Sequence, residues 1–173
     1  MLFTKRKQYE MSLKRRADDV ESRNDQLEKK IDHLQYNLNR LLELDYKIIA
    51  IEKDKLGDPV IVYRERDESS QNVYVKNCET KLEEEWDFAA IATYNEGENL
   101  LRLESINGNA INQGYGSVCL TYLQEIAHTL RVKKIVTKVS EPESEERIEH
   151  FFKKHDFIMD STKSYAEWVR PYR

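Results

Sequence analysis

The sequence predicts a mixed α/β (α+β) domain preceded by a long coiled-coil helix. A heptad run over residues 13–41, free of proline and glycine, predicts the helix. From residue 46 onward, short apolar segments alternate with turn residues, as in a sheet. Between two of these segments, a turn with two glycines leads into an amphipathic helix over residues 117–130. We therefore expect a coiled-coil helix at 1–46 and an α/β unit at 47–173.

The N-terminal helix carries the residues of a two-stranded seam. Its d positions are Leu13, Val20, Leu27, Leu34 and Leu41, and its a positions are Ala17, Asn24, Ile31 and Leu38. A buried Asn24 needs an equivalent amide directly across from it. This requirement selects a parallel, in-register pair of helices at some cost in stability. The heptads thus predict a parallel homodimer.

The charges beside the seam favour the same orientation. In a parallel pair, Arg16 at a g position meets Glu21 at an e position of the other helix. Arg23 meets Glu28 in the same way, whereas an antiparallel pair brings basic g residues together. Each exposed pair contributes only about 0.2–1 kcal/mol. The pairs are attractive only in the parallel orientation, so they favour the parallel dimer. The alternative is a helix that folds back onto its own domain.

The strands of the α/β unit are predicted from apolar runs bounded by turn residues. They cover residues 46–51, 60–63, 73–75, 88–94, 100–106, 134–139, 157–159 and 165–169. Residues 67–72 read as a hairpin-type loop. Periodicity does not decide whether residues 80–86 form a short helix or a charged loop.

The turn over residues 113–117 is the strongest functional signal. Its two glycines let the backbone turn tightly and let another group approach closely. Ser117 supplies a side chain that can cap the following helix. The first amides of a helix have no internal partner, so this turn is a candidate anion site, with phosphate the best candidate. The alternative is a tight strand-to-helix turn without a ligand.

Over residues 87–170 the sequence resembles the GNAT-type N-acetyltransferase superfamily. The resemblance lies in the double-glycine turn, the helix and strand behind it, and the aromatic segment at 151–157. It implies a mixed, mostly antiparallel sheet and acetyl-coenzyme A as cofactor. It assigns the pyrophosphate to the turn formed by Gln113, Gly114, Tyr115, Gly116 and Ser117. It also places the pantetheine on the backbone near Ile106 and Asn107, and Phe152 at the cofactor.

The resemblance further implies acetyl transfer to a primary amine by direct attack, which needs a base and a proton donor. Glu104 is the only carboxylate inside the strand at 100–106. Its apolar neighbours favour burial, which would raise its pKa toward a useful value. The alternative is a Glu104 that only pairs with a nearby cation.

The proton donor is less well defined by the sequence. Phe152 stands where the family commonly has a tyrosine, so the donor must be water or one of three tyrosines, Tyr115, Tyr122 and Tyr165. We expect His150 and His155 on the outer face of their helix.

Two features depart from the family. Ile111 stands where glutamine or arginine is common, and we find no clear counterpart of the two helices that usually shape the acceptor pocket. These departures favour an alternative function, a catalytically degenerate GNAT-fold binding or scaffold protein dimerised by its coiled coil.

Charge, apolar runs and cysteine content limit the partners, the location and the kinds of site that we expect. The net charge of −4 argues against a nucleic-acid partner. No apolar run reaches the ~20 residues of a membrane span, and no secretory signal follows Met1. Cys78 and Cys119 match no metal or redox spacing, and Cys119 is expected to be a packed thiol. We therefore expect a cytoplasmic protein.

Overall fold

One sheet of eight strands forms the centre of the part of the chain that the structure describes. This structure, a computed structural model, describes residues 2–65, 70–83, 86–109, 112–139 and 145–171, without the side chains of residues 2–6 and 145. The strands are β1 (Tyr46–Lys53), β2 (Pro59–Glu65), β3 (Val73–Asn77), β4 (Phe88–Asn95), β5 (Leu100–Gly108), β6 (Lys134–Lys138), β7 (Ile158–Met159) and β8 (Tyr165–Val169). The helices are α1 (Leu2–Glu43), α2 (Tyr115–Thr129) and α3 (Glu145–Lys154).

The strand order is β1-β2-β3-β4-β5-β6-β8-β7. Neighbouring strands are antiparallel, apart from β5 and β6, which run parallel. A parallel pair needs a crossover connection, and α2 supplies it. The predicted mixed, mostly antiparallel sheet is confirmed.

Side chains that alternate along the strands divide between two cores on opposite faces of the sheet. Val62 in β2 belongs to the core that contains Leu120 of α2. Its neighbours Ile61 and Tyr63 belong to the other core, which contains Leu41 of α1. Helices α1 and α2 therefore cover opposite faces.

Only the C-terminal third of α1 packs against the sheet. Every side chain from residue 7 to residue 29 is exposed. By contrast, Leu34, Leu38 and Leu41 contact the second core, and Leu41 is fully buried. The prediction that placed Leu34, Leu38 and Leu41 in a dimer seam is therefore wrong, because these side chains cover the sheet of their own chain.

Asn37 fixes this part of α1 through its side-chain amide. It is fully buried, and its Nδ2 donates to the carbonyl oxygens of Asn77 at 3.2 Å and Thr80 at 3.0 Å. Its Oδ1 accepts from the backbone N–H of Leu82 at 2.7 Å. The buried amide is thus fully used inside one chain, which matches the fold-back alternative for this segment.

The connections after β1 and β3 contain no helix where they are described. A turn over residues 54–58 joins β1 to β2, and residues 80–83 and 86 contain no helix. Residues 66–69 of the predicted hairpin loop lie outside the described residues. Helix α1 ends at Glu43 and β1 begins at Tyr46; the domain boundary at 46/47 stays a prediction.

Cys119 is the packed thiol that the sequence predicted. It is fully buried in α2, and its thiol lies 3.6 Å from the carbonyl oxygen of Val73. Burial raises the pKa of this thiol to about 12, so it stays protonated and serves packing. Separately, none of the described helices is long and apolar enough to cross a membrane.

Candidate active site

The N-terminus of α2 has the geometry of an anion site. Gly114 precedes the helix at φ +88°, a left-handed conformation that favours glycine. The backbone N–H of Val118 donates to the Gly114 carbonyl at 3.1 Å, which closes the first turn of the helix. The amides of residues 115–117 come before this bond and have no acceptor within the helix. They point the positive end of the helix dipole toward the turn.

Ser117 has a different role from the predicted one. The helix begins at Tyr115 without a side-chain cap, so the prediction that Ser117 caps it is wrong. Instead, the Ser117 hydroxyl lies 2.9 Å from Nε2 of His155. Ser117 therefore joins the first turn of α2 to the segment after α3.

Two cations border the turn, and the sequence analysis missed both. The backbone N–H of Lys55 donates to the Gln113 carbonyl at 3.0 Å. The side chain of Arg147, in α3, donates to Oδ1 of Asn112 at 3.2 Å. Both cations come from distant parts of the chain, so no local pattern linked them to the turn.

Gly116 is required by packing. A Cβ at this position would lie 3.1 Å from the ring of Phe88 and 3.2 Å from that of Phe151. The Phe88 ring also covers Gly108, where an added Cβ would lie only 2.0 Å from it. We expected Gly116 to leave room for a ligand, but aromatic rings occupy the space beside its Cα.

Strand β5 extends beyond its parallel neighbour at the end nearest α2. Pairing between β5 and β6 runs from Leu100–Lys134 to Leu103–Thr137, whereas β5 continues to Gly108 on its β4 side. Ile106 and Asn107 thus lie beyond the last described pair between β5 and β6. Residues 140–144, which follow this part of the chain after β6, lie outside the described residues.

Glu104 follows Leu103, the last residue of β5 in the described pairing with β6. The β4–β5 register shifts between Ile91 and Ala92, whose partners are Ser105 and Leu103, so Glu104 is the additional residue of a β-bulge. Its side chain is exposed and accepts a hydrogen bond from Thr93 Oγ1 at 3.0 Å. The expected burial of Glu104 is therefore wrong, because it projects into an open cleft.

This cleft has a volume of about 650 Å³. It is lined by strands β5 and β6 and the β7–β8 hairpin, and its polar residues include Arg102, Glu104, Lys138, Asp160 and Tyr165. The fully buried Leu101 of β5 faces α2, and Arg102 is exposed on the other side. The cleft therefore opens on the face opposite α2.

Among the three candidate tyrosines, only Tyr165 lines the cleft. Burial, followed by the negative charge of Asp54, raises the pKa of Tyr115 to about 12. Burial, with a hydrogen bond to Glu52, likewise raises the pKa of Tyr122 to about 12. These two hydroxyls hold their protons tightly in other parts of the molecule.

Phe152 lies in the apolar core. It is 6% exposed, and its ring centroid lies 5.2 Å from that of Phe157 and 5.4 Å from that of Phe151. Its side chain stabilises the attachment of α3 and is not on the surface of the turn.

The two histidines have different environments. His150 is exposed, as expected. His155 follows α3, is half-buried, and accepts a Gln124 hydrogen bond at its backbone carbonyl at 2.8 Å. Burial, and then the charge of Lys154, lowers the pKa of its imidazole. The outer-face prediction is wrong for His155. Ile111 lies outside the described residues.

No protein-family model matches the chain. Over 161 residues it is 24% identical to the uncharacterized protein YocC of Bacillus subtilis (strain 168), an alignment that covers 86% of this chain and 96% of YocC.

Two solved structures share the fold at low identity. Nourseothricin acetyltransferase aligns with a TM-score of 0.50 at 10% identity, over 73% of this chain and 88% of its own. A mutant of the cAMP-binding acyltransferase from Mycobacterium smegmatis aligns with a TM-score of 0.57 at 8% identity, over 81% of this chain and 52% of its own. The fold of the present chain is that of the GNAT acetyltransferases.

Proposed function

We propose that this protein is an acetyl-CoA-dependent N-acetyltransferase that acts on a primary amine by direct attack. The observation that carries the proposal is the N-terminus of α2, which begins after Gly114 without a side-chain cap. Such a helix end offers free N–H groups to a phosphate. We also propose that the protein is located in the cytoplasm.

The residues around the turn fit the cofactor's pyrophosphate. The amides at residues 113–117 are the proposed donors, and Lys55 and Arg147 add positive charge at the border of the turn. The backbone at Ile106 and Asn107, beyond the last described pair with β6, is proposed to bind the pantetheine amides. When bound, the cofactor supplies an acetyl group activated as a thioester.

The cleft on the opposite face is the proposed acceptor site. Glu104 is proposed to accept the proton of the attacking ammonium group, with Thr93 orienting its Oε1. Tyr165 lines the same cleft and is the proposed proton donor. The cleft is lined by four carboxylates, from Glu98, Glu104, Asp160 and Glu167, and by three cations, from Arg102, Lys134 and Lys138. Because Lys134 also pairs with Glu167, the charge of the lining does not select the charge of the acceptor.

A second candidate function is that of a binding or scaffold protein that has lost catalysis. It is favoured by the two rings that fill the space beside Gly116 and by the apolar, buried Phe152. A protein of this kind binds the cofactor or a partner without turnover.

Titration calorimetry with acetyl-CoA and coenzyme A, followed by detection of released thiol with a panel of amines, tests both functions. Heat of binding together with thiol release supports the transferase. Binding without release from any amine supports the scaffold. No heat at about millimolar cofactor contradicts the cofactor site itself.

A further inference from the structure

An apolar stripe on α1 lies uncovered in the single chain. Leu13, Val20, Leu27 and Ile31 recur at heptad spacing, and between 46% and 58% of each side chain is exposed. Leaving such side chains in water forfeits about 25 cal/mol for each Å² of apolar surface. The spacing of the stripe matches the seam between two packed helices.

The stripe and the sheet-facing side chains overlap around the circumference of α1 but occupy different lengths of the helix. At about 100° per residue, Leu38 lies only about 20° from Ile31, and Leu34 lies about 60° from it on the same side. Both leucines contact the second core, so the apolar contacts with the sheet begin at Leu34. A second helix can therefore pack on residues 13–31, and the later heptad positions are covered by the sheet.

The attachment of α1 to the sheet holds the stripe away from the α/β unit. Lys30 Nζ pairs with Asp58 Oδ1 at 2.5 Å, and the His33 ring nitrogen lies 3.2 Å from the Cys78 carbonyl. Residues 7–29 extend beyond these contacts for roughly 33 Å. An isolated helix gains most of its stability from packing of an apolar face, which residues 7–29 lack in one chain.

We propose that residues 13–31 of α1 pair with the same residues of a second copy of this chain, in parallel and in register. Charge complementarity argues for this occupant. Arg16 of one copy meets Glu21 of the other, and Arg23 meets Glu28, on both sides of the seam. The parallel arrangement places both α/β units at the same end of the coiled coil.

Asn24 supports the same register. Its side chain is exposed in the single chain, and only a parallel, in-register pair brings the two Asn24 amides together at a positions. In an antiparallel pair, Asn24 would face a leucine or valine, and Arg23 would face Arg23 of the second copy. Both contacts are unfavourable.

Sedimentation of the full chain tests whether the apolar stripe on α1 is a dimer interface. We expect a dimer at micromolar concentration that the double substitution Val20→Glu/Leu27→Glu converts to a monomer. The matched control is Ser22→Glu/Gln26→Glu, which adds the same two charges on the outer side of the helix and should leave the dimer intact. Circular dichroism and the cofactor calorimetry check that each variant is folded. A monomeric wild type, or a dimer that survives Val20→Glu/Leu27→Glu, overturns the proposal.

Cross-linking tests the orientation. Leu13→Cys is expected to form an intermolecular disulfide under mild oxidation, because the two d positions face each other in a parallel pair. Cys78 and Cys119 are buried, so we expect neither to form a disulfide between chains. Ser22→Cys, on the outer side, is the control that should not cross-link. If neither Leu13→Cys nor Ile31→Cys alone gives a disulfide while Leu13→Cys/Ile31→Cys links two chains, the pair is antiparallel and the proposed register is wrong.

Discussion

The backbone N–H of Lys55 donates to the carbonyl of Gln113 at 3.0 Å, so the β1–β2 turn is attached to the turn that begins α2. The attachment brings a cation to the helix N-terminus. A Cβ at Gly114 would lie 3.6 Å from the Cβ of Lys55, and the Lys55 side chain is exposed. Its ammonium group is therefore free to approach an anion bound at the amides of residues 115–117.

Lys55→Ala should weaken coenzyme A binding without affecting the fold. An exposed charge pair is worth about 0.5–1 kcal/mol, which corresponds to roughly a two- to fivefold higher Kd. The loss should shrink at high salt because exposed charges are screened. Calorimetry measures both effects. Lys47→Ala, an equally exposed lysine in β1, is the control; equal affinities for the two variants would exclude Lys55 from the site.

Gly116→Ala should destabilise the protein before any ligand is added. Its Cβ would lie 3.1–3.2 Å from Phe88 and Phe151, and overpacking of this kind costs about 1–3 kcal/mol. Removal of a glycine from a helix gains about 0.5–1 kcal/mol, so we expect a modest net loss of stability. Thermal unfolding should show a lower Tm, and Phe151→Leu in the same chain should make the Gly116→Ala effect smaller than it is alone. An unchanged Tm for Gly116→Ala would mean that the rings move aside freely.

The two glycines show where sequence reasoning ends. The turn, the helix and the strand behind them were predictable because the spacing of apolar residues and the preferences of turn residues are local properties of the sequence. The packing of Gly116 was not predictable, because Phe88 and Phe151 contact it only in the tertiary fold. Lys55 joins the turn by a backbone hydrogen bond, and no side-chain pattern encodes such a bond.

The same limit applies to α1. The heptads predicted its helical conformation, but Leu27 and Leu34 occupy the same d position, and only Leu34 contacts the sheet. Asn37 attaches this part of α1 to the end of β3 and the segment after it through its three backbone partners. An asparagine at a g position gave no sign of this role.

Glu104→Gln should separate catalysis from stability. If Glu104 is the base, turnover should fall by roughly 10²–10⁴ while cofactor affinity is little changed. Because the side chain is exposed, the free energy of unfolding should change by no more than about 0.5 kcal/mol. Thr93→Val, which removes the hydrogen bond to Oε1, should cause a smaller loss of turnover. Wild-type turnover in Glu104→Gln would exclude this carboxylate as the base.

His155 should make stability depend on pH. Burial lowers the pKa of its imidazole below the ordinary value of 6.5, so the unfolded chain binds a proton more readily than the folded one. The contribution of His155 to the free energy of unfolding is therefore complete above about pH 6.5 and is lost as the pH falls through the pKa of the folded state. Nearby Lys154 acts in the same direction as burial, and Asp156 opposes it.

Calorimetric unfolding from about pH 8 to about pH 5 measures this effect. His155→Gln should flatten the fall in Tm on the acid side, whereas His150→Gln, at an exposed position, should leave it unchanged. Identical pH profiles for the wild type and His155→Gln would show that His155 is not the group that titrates.

The same substitution at two asparagines of α1 should have opposite effects. Asn37→Leu leaves the N–H of Leu82 and the carbonyls of Asn77 and Thr80 without their side-chain partner. Each buried group of this kind costs about 1–3 kcal/mol when it is orphaned. Asn24→Leu instead replaces an exposed amide at a seam position, so it should raise the Tm of the dimer while making its oligomeric state less specific. Thermal unfolding and sedimentation at one fixed concentration measure both variants. A similar loss of stability in the two would mean that Asn24 is also bound within its own chain, and a gain in both would contradict the structural role of Asn37.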